Sequence, residues 1–142
     1  MAENNDDILE GNLFFLAAAF SRKLTRQADE VFASVGLSSS HALLLLLVQN
    51  DPGIQPSKLA ERLHLKPSTI TRLVQKLERR ELVERESKGR ATSVVSTAKG
   101  GRVAQEVKDK WRSLNSLQSE QLGDRYVKVL SEMIDKALEA ME

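Results

Sequence analysis

Six side chains between residues 68 and 79 share a chemistry and recur at helical spacing. Ser68, Thr71, Arg72, Gln75, Lys76 and Arg79 donate hydrogen bonds, carry positive charge, or do both, and no carboxylate stands among them. Arginine can pair bidentately with guanine and glutamine with adenine, while hydroxyls and lysine reach phosphates or base edges. The set therefore suits the major groove of duplex DNA. Thr71, Arg72 and Gln75 are the candidates for reading bases, and Ser68, Lys76 and Arg79 for phosphate or flanking contacts, with Thr69 beside them. A solvated surface helix is the bland account of any polar face. Such faces usually mix both signs, however, and here the nearest acid, Glu78, lies at the flank.

These side chains need an element that turns them outward together. Ile70, Leu73, Val74 and Leu77 fall at i, i+3, i+4 and i+7, the apolar stripe of a helix that packs one side on a core. Burying that stripe fixes the rotation of the helix. Upstream, Leu59, Ala60, Leu63 and Leu65 mark a shorter amphipathic helix, and His64-Leu65-Lys66 leaves room only for a tight turn, so the pair reads as a helix-turn-helix. Pro56 and Pro67 suit first helical positions, where the missing N–H costs nothing. Each also drives its predecessor out of the α region, which makes Gln55 and Lys66 the caps. After Arg80 the period changes from helical to alternating. Residues 82–86 and 92–96 are strand candidates joined by Ser87-Lys88-Gly89-Arg90, a hairpin tip with glycine for the turn. Helix, turn, helix and hairpin make a winged helix whose basic tip, Lys88 and Arg90, can reach the DNA backbone or the minor groove.

LAERLHLKPSTITRLVQKLERRELVER resembles the DNA-binding core of the MarR (multiple antibiotic resistance regulator) family, and RATSVVSTAKG is similar to its returning wing strand and entry to the next helix. The similarity in order and spacing extends over nearly the whole chain. It implies a mainly α fold, a winged helix-turn-helix with a two-stranded wing between long N- and C-terminal dimerisation helices. It also implies a homodimer that places two recognition helices in successive major grooves of a pseudo-palindromic site, acts as a repressor, and is released by a small ligand. By the same resemblance, a ligand pocket between the dimerisation helices and the winged helix falls near Phe20, His41 and Trp111. Each of these alone is equally well explained as core.

Two positions depart from the family pattern. Glu81 stands where glycine usually follows the recognition helix, so the turn is either strained in a left-handed conformation or built differently. Lys88 stands where the wing often carries an aspartate two residues before its arginine, and the wing looks short. Arg90 is then oriented differently or directed wholly at DNA.

The rest of the chain divides into 1–36, an N-terminal dimerisation helix; 37–97, the winged helix; and 98–142, two C-terminal dimerisation helices. Met1 to Asp7 should fray. From Ile8 to about Val35 apolar residues recur at threes and fours, and Phe14, Phe15 and Phe32 broaden that surface beyond one stripe. A first half so apolar should bury against another chain. Gly36 ends the helix, and Ser38 caps the next, whose His41 to Val48 stretch is apolar on nearly every side and should be core. Asn50-Asp51-Pro52-Gly53 is a turn. Thr97 is an N-cap for a helix marked by Val103, Val107, Trp111, Leu114 and Leu117. Gly123-Asp124 breaks it, and a last helix follows with Val127, Leu130, Ile134, Leu138 and Met141 on one side.

With 142 residues the chain has the length of one domain. Its formal net charge of +1 is uninformative, but the distribution is not. Residues 1–54 hold three basic and seven acidic side chains, whereas residues 55–90 hold ten basic and five acidic ones. Positive charge thus gathers where the groove-facing side chains are. The absence of cysteine removes disulfides and thiolate catalysis and fits a reducing cytoplasm. The longest apolar runs, 13–20 and 42–48, are too short to span a membrane, so a soluble, cytoplasmic protein with no membrane partner is expected. Two histidines far apart, no cysteine and no glycine-rich phosphate loop leave no expected enzyme activity, metal or cofactor. The alternative to DNA binding is a protein-interaction module on a winged-helix scaffold, which would lack steep salt dependence on DNA.

Overall fold

The structure, a computed structural model, describes residues 8–142 apart from the Lys88 side chain. The expected fraying of Met1 to Asp7 lies outside these residues. The first helix, α1, runs Leu13–Phe32, starting later than its apolar pattern suggests. Gly11 is left-handed at φ 71°, and the Asn12 side chain accepts from Phe15 N at 3.0 Å. An asparagine cap thereby sets the start, and Ile8 and Leu9 stay in the preceding turn. A 3-10 turn, Ala33–Val35, and left-handed Gly36 close it.

The second helix, α2, is Ser39–Asn50, with Ser38 at the N-cap as expected. The hydroxyl of Ser38 does not cap, however. It lies 2.6 Å from His41 Nδ1, and Asp29 Oδ1 instead accepts from Ser39 N at 2.9 Å. A carboxylate from α1 thus supplies both an acceptor and a negative charge at the helix start. Ala42, Leu44, Leu45 and Val48 are buried, and α2 is the centre of the core.

Around it pack α3 (Pro56–Leu63), α4 (Pro67–Arg79), α5 (Ala98–Leu122) and a two-stranded antiparallel sheet of β1 (Val83–Lys88) and β2 (Ala91–Ser96). The register pairs Val83 with Ser96 and Lys88 with Ala91, so the strands are longer than their alternation suggests and the turn contracts to Gly89-Arg90. Ile54 bridges Val94, a pairing outside the hairpin that stitches the turn after α2 to β2. The last helix, α6 (Asp124–Ala140), buries none of its residues within the chain. Phe32, Leu59, Ile70, Leu77, Leu82, Val94 and Val107 share one core cluster, which joins α1 and α5 to the winged helix. Among the described residues no single helix is long and apolar enough to cross a membrane.

Candidate nucleic-acid interface

The rotation of α4 is settled by burial. Ile70, Leu73, Val74 and Leu77 are all buried, while Ser68, Thr71, Arg72, Gln75, Lys76 and Arg79 are exposed and Thr69 is half-buried. Among the described residues, Arg72, Gln75, Lys76 and Arg79 have no side-chain hydrogen bond or ion pair, so their donors are available to a ligand. Thr71 differs, because its hydroxyl donates to Pro67 O at 3.1 Å and presents mainly its acceptor side and methyl group. Glu78, the one carboxylate of α4, is held by Arg85 Nε at 2.8 Å from β1. That pairing neutralises the acid nearest the basic face.

Both ends of α4 are built by turns that sequence chemistry does not favour. At its start, α3 finishes with His64 left-handed at φ 54°, and Leu65 N returns to Ala60 O at 3.0 Å. Lys66 is then extended and Pro67 opens α4. At its finish Glu81 has φ 60°, the left-handed conformation considered above. Glu81 N donates to Glu78 O and Leu82 N to Leu77 O, each at 2.9 Å, the pair of bonds that defines a Schellman ending. The accompanying apolar contact comes from Leu77 and Leu82, both fully buried. Gly100 completes the corner. A Cβ there would lie 1.9 Å from Leu82 O, so only glycine lets α5 approach.

The wing presents Arg90 exposed in the two-residue turn after left-handed Gly89. The Lys88 side chain, the other wing candidate, lies outside the description. The expected ligand-pocket residues stand on three elements, Phe20 on α1, His41 on α2 and Trp111 on α5. Phe20 lines a hollow between α1 and the α5–α6 corner, with Leu13, Leu16, Leu122, Tyr126 and Ile134, that includes neither His41 nor Trp111. Trp111 packs on the core. His41 is bound to Ser38, and burial, then the positive charges of Lys76 and Arg80, hold its pKa below 6.5.

Arg80 is the residue that sequence reasoning passed over. Its Nη1 donates to Gly36 O at 2.5 Å, a main-chain acceptor 44 positions away. No side-chain pattern advertises such a partner. Among the described residues no group of three or more histidines, aspartates and glutamates could hold a metal.

Residues 37–89 match the MarR family. A 77-residue stretch is 30% identical to the organic hydroperoxide resistance transcriptional regulator of Bacillus subtilis, covering 54% of this chain and about half, 52%, of that protein. The PcaV transcriptional regulator of Streptomyces coelicolor, solved with its natural ligand, superposes with a TM-score of 0.83 at 22% identity over 100% of both chains. MepR of S. aureus, solved in complex with DNA, gives 0.82 at 17% identity over 94% of this chain and 100% of that one. CouR of Rhodococcus jostii, bound to p-coumaroyl-CoA, gives 0.78 at 22% identity over 91% of this chain and 93% of the other. At such identities the likeness establishes the fold, a mainly helical winged helix between N- and C-terminal helices. The family match itself is confined to residues 37–89, the winged-helix portion of the chain.

Proposed function

We propose that this chain is a MarR-type transcriptional regulator, a cytoplasmic repressor that binds pseudo-palindromic duplex DNA as a homodimer and is released by a small ligand. The observation that carries the reading is the exposed side of α4, which is basic, rich in donors and free of carboxylates, while its apolar side is buried. Thr71, Arg72 and Gln75 read base edges, with Thr71 acting through its acceptor oxygen and methyl. Ser68, Thr69, Lys76 and Arg79 engage phosphates or flanking edges, and the wing adds Arg90 and Lys88. Dimerisation is supported by the apolar residues left exposed on the first half of α1 and on α6, which a two-fold axis buries together. Such an axis sets the two α4 helices one DNA turn apart, ~34–36 Å. Ligand release is supported by the fold shared with PcaV and CouR, each solved with a ligand, and by the hollow that Phe20 lines. The reading includes no catalytic activity.

Selection of bound fragments from random duplex DNA, followed by anisotropy over a salt series, tests it. The expected outcome is enrichment of a two-fold motif and, for some eight phosphates, a log-log salt slope near about −7. Absence of enrichment together with salt-independent weak binding would instead favour a protein-docking module.

A further inference from the structure

Two arginines end the recognition helix in succession, and their surroundings differ. Arg79 is exposed with its donors open, whereas Arg80 is half-buried and bonded through Nη1 to Gly36 O. The guanidinium lies directly on that glycine: a Cβ at Gly36 would be 3.4 Å from Nη2. The main chain beyond Arg80 is tied equally firmly to the start of α5. Lys99 Nζ donates to Arg80 O at 3.2 Å, Thr97 Oγ1 to Glu81 O at 2.6 Å, and Thr97 N to Leu82 O at 3.0 Å. Three consecutive carbonyls thus serve α5 while one side chain serves the end of α1. These are the two helices whose far ends meet the exposed apolar surfaces.

We propose that Arg80 is a positioning residue for the recognition helix, fixing the exit of α4 to the corner after α1 so that the pitch of the DNA-reading face follows the attitude of α1. The inference rests on the reading of α4 as a DNA-recognition helix. An ionised donor on a carbonyl makes a stronger and more directional bond than a neutral one. The carbonyls that close α1 carry the negative end of its dipole, which further favours a cation there. A guanidinium committed in this way is withheld from phosphate. Arg80 therefore governs how well bases are discriminated, in contrast to Arg79, which contributes charge.

The test uses full-length Arg80→Ala, with Arg79→Ala alongside, titrated over a salt series on a selected duplex and on a scrambled one. Arg80→Ala should lower the ratio of the two affinities on the order of tenfold, the discrimination of about one base pair, with the salt slope on scrambled DNA unchanged. Arg79→Ala should weaken both duplexes alike and reduce the slope by about one. If Arg80→Ala behaves as Arg79→Ala, it is a phosphate contact and the proposal fails. If it lowers only the melting temperature and leaves ratio and slope intact, its role is merely structural and the proposal fails too. Should Arg80→Ala not fold, Arg80→Lys carries the same comparison: it keeps the charge but shortens the reach, so a reduced ratio supports positioning and an unchanged ratio overturns it. A wild-type chain that binds no duplex defeats the DNA reading itself, whereas wild-type binding with an unaltered Arg80→Ala ratio defeats this inference alone.

Discussion

On α4 the side chains that face solvent are basic and hydrogen-bonding, and the aliphatic ones are hidden; on α6 and the first half of α1 large apolar side chains stand exposed as well. Phe14 is 82% exposed, Leu13 78% and Met133 63%, and α6 buries nothing within the chain. Both regions are regular helices with one-sided patterns, so amphipathicity alone does not separate them. What separates them is which side the chain's own core has already covered. For α4 the core has consumed the apolar side, and the surplus is charge and donors suited to a polyanion. For α6 the surplus is hydrophobic surface, which water disfavours and another apolar surface relieves. In the proposed reading one surplus meets DNA, and the other meets a second copy of the chain.

The contrast is most severely tested at Phe14. If the proposed dimer forms, Phe14→Asp should convert it to a monomer in sedimentation and, by removing bivalent engagement, weaken binding to a selected duplex by roughly 100-fold or more. A dimer that persists with full affinity would mean the exposed apolar side is not the interface. On the other surface, Arg72→Ala should cost ~1–3 kcal/mol and relax preference at one base pair, read by competition among singly substituted duplexes. Lys76→Ala should weaken all sequences alike and reduce the salt slope by about one.

Two smaller effects sharpen the comparison by acting behind the basic face of α4 without touching it. Glu81 is left-handed at φ 60°, which disfavours any side chain. Glu81→Gly should therefore raise stability by about 1 kcal/mol, seen as a higher denaturation midpoint at unchanged slope, with DNA selectivity retained. His41 is held below its usual 6.5 by burial and then by Lys76 and Arg80. The unfolded chain consequently takes up that proton first. The contribution is fully present above about pH 6.5 and declines as pH falls from there through the lower folded value. His41→Gln should flatten this part of the stability profile between pH 5 and 7, and an unchanged profile would assign the acid sensitivity to other groups.

Much of this was legible before any coordinates. The four aliphatics of α4 specify its rotation, because a 3.6-residue period allows only one side to face the core, and the basic face follows from that. The prolines at 56 and 67, the Thr97 cap and the break at Gly123 are equally local, and all stand where expected. The start of α1 was misjudged because Ile8 and Leu9 continue an apolar rhythm that Gly11 and Asn12 interrupt. The Ser38 hydroxyl was read as a cap because its type and position fit, but Asp29 from α1 takes the neighbouring N–H and frees Ser38 for His41. The grouping of Phe20, His41 and Trp111 comes from a resemblance, and their mutual placement depends on how α1, α2 and α5 cross.

Sequence alone determined the order of elements, the outward chemistry of α4 and the surplus of apolar surface at both ends, since each is a matter of residue type and short-range spacing. Only the tertiary structure decided that Arg80 reaches Gly36, that Arg85 takes up Glu78, and that Glu81 accepts a left-handed turn so that Leu82 can bury against Leu77. The physical reason is the same in each case. A backbone carbonyl or a neighbouring charge becomes a partner through the path of a distant segment, and periodicity within one helix carries no information about that path.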